Sequence, residues 1–75
     1  REINEYWRYT GMLKDDVLWG YGVIEDSNPE SPRTIYSEFV NNQLDGQVRI
    51  VQSNGAIIDS EVRDGDFKDI DRFYN

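Results

Sequence analysis

The sequence contains no cysteine and no histidine, and only one methionine and two prolines in 75 residues. Without cysteine there is no disulfide staple and no thiolate chemistry, and the redox state of the compartment leaves no mark. Without histidine the commonest general base, the Ser-His-Asp arrangement and histidine-bearing zinc sites are all excluded. Basic residues are scarce: 8 against 15 acidic ones, a net charge of −7, and no basic run of five. Nucleic acid and anionic lipid both need a basic footprint, so this balance excludes the first and argues against the second. No apolar run approaches the ~20 residues that a membrane-spanning helix requires. The residues present carry no signal-peptide pattern, and Arg1 falls in the middle of a sequence pattern. The expectation is a segment of something longer, with an intracellular setting favoured.

Hydrophobic residues make up 37% of the chain and aromatics 13%. That mixture suits β-structure with partly exposed aromatic surface better than disorder. A chain of this length forms one small domain and buries only about 60% of its unfolded surface.

The chain repeats itself. Taking Tyr9, Ile35 and Ile58 as starts, the residue two positions on is small in each case: Gly11, Ser37, Ser60. Four on come the apolar residues Leu13, Phe39 and Val62, and nine on Leu18, Leu44 and Phe67. Seven on come Asp16, Asn42 and Gly65, residue types that tolerate positive φ and so fit tight reversals. Gly20 and Gly46 follow at the eleventh position, where the third copy has Asp69 instead. Offsets zero, two and four alternate with polar residues and share one face of a strand. The starts are 26 and 23 residues apart, and the extra three fall in the proline-containing stretch 25–33, an expanded loop. In the next copy the same connection is compact, with turn residues Asn54 and Gly55, a strong hairpin signal.

The spacing therefore predicts an all-β chain: a single-layer antiparallel meander of consecutive hairpins. The copies run 9–34, 35–57 and a partial 58–67. Strands are expected over Tyr9–Leu13, Val17–Ile24 and from Ile35, with turns at Lys14-Asp15-Asp16 and Asn41-Asn42. Residues 2–8 are either an entering strand or the tail of an earlier copy. At the end, Phe67, Ile70 and Tyr74 follow a helical stripe, so residues 68–75 are either a helical cap or a frayed tail.

On the return strands Gly20, Gly22 and Ile24 share a face, as do Gly46, Val48 and Ile50; glycine there leaves room for aromatic rings from neighbouring strands. The opposite face carries Trp19, Tyr21 and Val23 in the first copy but Asp45, Gln47, Arg49 and Val51 in the second. Trp19 and Tyr21 are thus either a cross-strand aromatic element on a solvated sheet or a second binding patch, since aromatics mark interfaces.

These offsets resemble the MORN repeat (membrane occupation and recognition nexus), a unit of about 23 residues reading Tyr-x-Gly-x-Trp/Phe, a turn, then Leu-x-Gly-x-Gly. The first copy has Tyr9, Gly11, Leu18, Gly20 and Gly22 in place. The second keeps Phe39, Leu44, Gly46 and Asn54-Gly55, but departs at Ile35, Ser37 and Val48. The third keeps Gly65 and the apolar spacing, about two and a half copies in all. The resemblance implies a curved hairpin ribbon whose groove holds a partner's helix or peptide, with roles in scaffolding or as an appendage to an enzyme. Lipid binding has been proposed for the family, and the acidic charge argues against it here.

For function the expectation is a non-catalytic interaction or scaffolding module within a larger assembly, not an enzyme, with other protein subunits or a partner helix as partners. The candidate apolar groove comprises Tyr9, Leu13, Ile35, Phe39, Val48, Ile50 and Ile58. The alternatives are a regulatory appendage of an enzyme whose catalytic part lies elsewhere, and a peripheral lipid binder. No cofactor or metal is expected: Asp64-Gly-Asp66 and Asp69-Ile-Asp71 do not fit the calcium-loop register, because the glycine comes too early and no bidentate glutamate follows.

Overall fold

The computed structural model describes residues 1–65. The expected helical stripe of Phe67, Ile70 and Tyr74, and the last two residues of the third copy, lie outside the described residues. Within them the chain is all-β. Strands β1 (Trp7–Lys14), β2 (Val17–Asp26), β3 (Arg33–Val40), β4 (Gln43–Gln52) and β5 (Ile57–Gly65) form one antiparallel sheet, ordered as they occur in the chain. Among the described residues no helix is long and apolar enough to cross a membrane.

The two hairpin turns are built alike. Asp15 and Asp16 have φ of 51° and 66°, and Asn41 and Asn42 have 52° and 67°. Positive φ at both central positions is the two-residue geometry whose twist matches paired strands, and Asp and Asn adopt it at low cost. The 26-residue offset thus reproduces the φ angles of the turn to within a degree. Gly20 and Gly46, at φ of 78° and 82°, share the eleventh position and sit where pairing with the preceding strand slips. These are bulges, which bend a strand and sharpen its twist. Gly65 is the last residue of β5 and stands opposite Leu44; the rest of the turn expected there lies outside the described residues.

The connections differ as their composition requires. In the longer one, Asp26 Oδ1 accepts the Asn28 N–H and Asn28 Oδ1 accepts the Glu30 N–H, two successive side-chain-to-backbone turns. In the shorter one, Gln52 donates to the Ala56 carbonyl, Asn54 Oδ1 accepts the Ala56 N–H, and Gly55 takes φ of 90°.

Period-two alternation sorts the side chains onto two faces. Across the sheet, Tyr9, Ile24, Ile35, Ile50 and Ile58 stand opposite one another in a row spanning all five strands. Beside it run Gly11, Gly22, Ser37, Val48 and Ser60. The Tyr9 ring lies over the two glycines. A Cβ on Gly22 would come within 2.6 Å of Tyr9 Cζ, and one on Gly11 within 2.6 Å of the hydroxyl. The ring meets Phe39 edge-on, centroids 5.3 Å apart at 86°, and its hydroxyl donates to the Met12 carbonyl at 2.7 Å. Burial raises the Tyr9 pKa.

The core contains Tyr9, Leu18, Ile24, Ile35, Phe39, Leu44, Val48, Ile50 and Val62, with Ile3, Trp7 and Ile58 packed against it. At one end of this face the alternation brings Asp26 opposite Arg33, both buried, with Arg33 Nε 2.9 Å from Asp26 Oδ2. The Trp7 ring lies 5.9 Å from the guanidinium carbon.

Candidate functional site

The apolar groove expected from the sequence is not open. Tyr9, Ile35, Phe39, Val48 and Ile50 are buried at 2% exposure or less, and Ile58 is half-buried against them. These side chains are the core of the chain itself. The physical reason is the size of the face: burying each large apolar side chain is worth about 1.5–3 kcal/mol, and a domain this small needs that face for its own stability. Of the seven groove candidates only Leu13 is exposed, at 48%, and it lies at the turn end of β1, opposite Leu18.

The accessible surface is the other face. Its rows are Arg8, Glu25, Thr34, Val51 and Ile57, then Thr10, Val23, Tyr36, Arg49 and Asp59, with Tyr21 opposite Glu38 beyond them. Tyr21 is 72% exposed and Tyr36 46%, the two standing diagonally on adjacent strands. They line an open cleft of about 340 Å³ that also takes in Glu38, Gln47, Arg49 and Asp59. The bulge at Gly46 shapes this region, since pairing between β3 and β4 slips between Ser37 and Glu38.

The electrostatics of the cleft are set by two pairs. A hydrogen bond to Glu38, reinforced by its charge, raises the Tyr21 pKa, so the phenol keeps its proton. Arg49 grips Asp59 with two bonds, Nε to Oδ1 at 2.8 Å and a terminal nitrogen to Oδ2 at 3.1 Å. This fork holds the Asp59 carboxyl below the usual aspartate value and raises the Arg49 pKa. The cleft therefore offers two phenol faces and hydroxyls, one carboxylate already engaged, and an ion pair at its rim.

Trp19 and Tyr21, the expected second patch, are separated in role. Trp19 is half-buried and stacks under the Lys14 ammonium, 4.6 Å from the ring centroid. That contact secures the first hairpin near its turn. Tyr21 belongs to the cleft, where its aromatic companion is Tyr36, which the sequence patterning did not single out. The signal was available: counting back from Arg49 through the Asn41-Asn42 turn places Tyr36 on the same outer face.

Asp16 and Asn42 occupy their turns, Asn54 and Gly55 the β4–β5 connection. Among the described residues no group of three or more carboxylates, histidines or cysteines is placed to hold a metal ion. Compared with models of protein families, with curated proteins and with solved structures, the chain has no significant match to any of them.

Proposed function

We propose that this chain is a non-catalytic protein–protein interaction module, a MORN-like run of hairpins serving as a segment of a larger assembly. The observation that carries this reading is the outer cleft. Two tyrosines stand exposed on a sheet face whose apolar partner face is already used as core. Tyrosine supplies large, rigid contact area at low entropic cost, which is why it concentrates at interfaces. The site is shallow and open, suited to an extended peptide or one helix face rather than to an enclosed substrate. Charge gives the lipid alternative no support: Glu25, Glu38, Asp45, Asp59 and Glu61 stand against Arg8, Lys14, Arg49 and Arg63 on this side, which is not a basic footprint.

The test is selection of peptide and helical ligands from a displayed library on the chain, followed by binding to a Tyr21→Ser/Tyr36→Ser variant. Both residues are exposed, so the variant keeps its fold and melting temperature to within a few degrees. Selected ligands are expected to lose at least tenfold in affinity. Equal binding to the variant and the parent refutes the assignment of this face.

A further inference from the structure

We infer that the outer cleft takes an arginine side chain of a partner polypeptide, its guanidinium lying between the Tyr21 and Tyr36 rings and reaching the Glu38 carboxylate; the inference rests on the interaction reading of that site.

The two rings are spaced for a flat group. Tyr21 pairs with Glu38 and Val23 with Tyr36, so the tyrosines hold diagonal positions on one face of adjacent strands. Such positions stand about 7–8 Å apart. A planar group in contact with both rings needs about 3.5–4.0 Å on either side, so one such group fits between them. The guanidinium is flat, stays charged at physiological pH and stacks on aromatic faces. The chain already places a cation on an aromatic ring of this face: Lys14 lies 4.6 Å from the Trp19 centroid, one outer position along β2 from Tyr21.

Glu38 is the carboxylate of the cleft that lacks a cation. Elsewhere on this face Arg8 stands opposite Glu25, and Arg49 holds Asp59 through two bonds. Asp45 and Glu61 share a neighbouring hollow with Arg63. Among the described residues no cation pairs with Glu38. It stands instead directly opposite Asp45, a like charge. Opposed like charges destabilise a sheet, and local conflicts of this kind collect at functional sites. An incoming guanidinium removes the conflict.

The carboxylate is also held ready. Glu38 is half-buried, and its carboxyl rests against the bulge at Gly46, where a Cβ would come within 3.7 Å of Cδ. The Tyr21 phenol donates to it. A carboxylate has about four acceptor positions, so room remains for the fork of an arginine. A preorganised acceptor loses little freedom on binding. The cleft is too open to retain a free amino acid, so the arginine must come on a chain whose neighbouring residues use the rest of the sheet face. The net charge of −7 draws a cationic partner towards this surface.

The experiment selects short random peptides, displayed on phage, on the full chain and titrates the synthesised ligands. Ligands that lose affinity for Tyr21→Ser/Tyr36→Ser are expected to share an arginine. Replacing it by citrulline, flat but uncharged, is expected to weaken binding at least about tenfold. Glu38→Gln is expected to weaken the arginine peptide equally, and to change the affinity of the citrulline peptide by less than about twofold. That variant keeps its fold, because its amide oxygen still accepts from Tyr21 and the repulsion with Asp45 is gone; its melting temperature is expected to match or exceed that of the parent. Tyrosine-dependent ligands without arginine, ligands in which lysine serves equally, or indifference to Glu38→Gln each overturn the inference and leave the interaction reading intact. A selection that returns no ligand sensitive to the tyrosine pair overturns both.

Discussion

Replacing Gly22 by alanine adds a single methyl group, and the structure places it inside the Tyr9 ring. Gly22 is not among the glycines with positive φ, so its backbone suits alanine. On backbone grounds alone the change stabilises by about 0.4–1 kcal/mol, through a less disordered unfolded chain. Sterically it cannot be accommodated in place: the new carbon falls 2.5 Å from the tyrosine hydroxyl and 2.6 Å from Cζ, and overlaps Cε1. The ring must move by about 1 Å to reach ordinary contact distance. It is held by its bond to the Met12 carbonyl and its edge-on contact with Phe39. The bond is worth about 1 kcal/mol, the contact about 0.5–1.5 kcal/mol, and overpacking costs about 1–3 kcal/mol. The net expectation is a loss of about 3 kcal/mol. For a domain of this size that lowers the melting temperature by roughly 12–24 °C, a large share of a total stability of about 4–11 kcal/mol. Thermal melts by circular dichroism, with urea titration at 25 °C, measure it. The control is the same change in a Tyr9→Leu background, where the obstructing ring is gone and the penalty should vanish. A Gly22→Ala chain melting within 3 °C of the parent refutes the argument, as does an equal loss in both backgrounds.

Asn42→Gly separates turn propensity from the side-chain bond to Leu18. It puts glycine directly after Asn41, the pairing most favoured in such turns, yet it deletes the acceptor of the Leu18 N–H; a loss of about 1 kcal/mol is expected, and a rise in melting temperature would show that the bond is inert. Asp26→Ala removes the Arg33 Nε partner and the Asn28 acceptor together in a buried setting, and should cost about 3 kcal/mol or more in chemical denaturation, against less than about 1 kcal/mol for the exposed Glu25→Ala. The Asp59 carboxyl is held low by Arg49, so its contribution is present above the unfolded aspartate pKa and is lost as pH falls through the lower folded value. Side-chain carboxyl NMR should show Asp59 titrating below an ordinary aspartate and returning upward in Arg49→Gln; an unmoved midpoint contradicts the ion pair.

The hairpins could be read from the sequence because their determinants are local. Asp15-Asp16 and Asn41-Asn42 sit where the chain must take positive φ, and few residue types do so cheaply. The face assignments were legible for the same reason: a strict two-residue period fixes which of Ile35, Tyr36, Ser37 and Glu38 point together. The same period continues through Ile24 to Asp26 and from Ile35 back to Arg33, so the buried ion pair was also within reach, hidden only by the habit of assigning charges to the outside. Whether the apolar face is a groove or a core depends on what covers it, a tertiary matter that no periodicity encodes. That is why Tyr9, Ile35, Phe39, Val48 and Ile50 were misassigned to a partner. The short pairing of residues 1–3 against β1 was undetectable by pattern, because three residues are too few to show a period.

Strand order that follows chain order has a kinetic consequence. Every pairing joins segments separated by one short connection, so no distant ends have to find each other before contacts form, and the entropic barrier of loop closure stays small. Folding is then a zipping process in which any one hairpin can nucleate and its neighbours add in turn, with the β3–β4 hairpin able to grow in both directions. Refolding within milliseconds, faster than all-β domains with crossed connections, is the behaviour this topology implies.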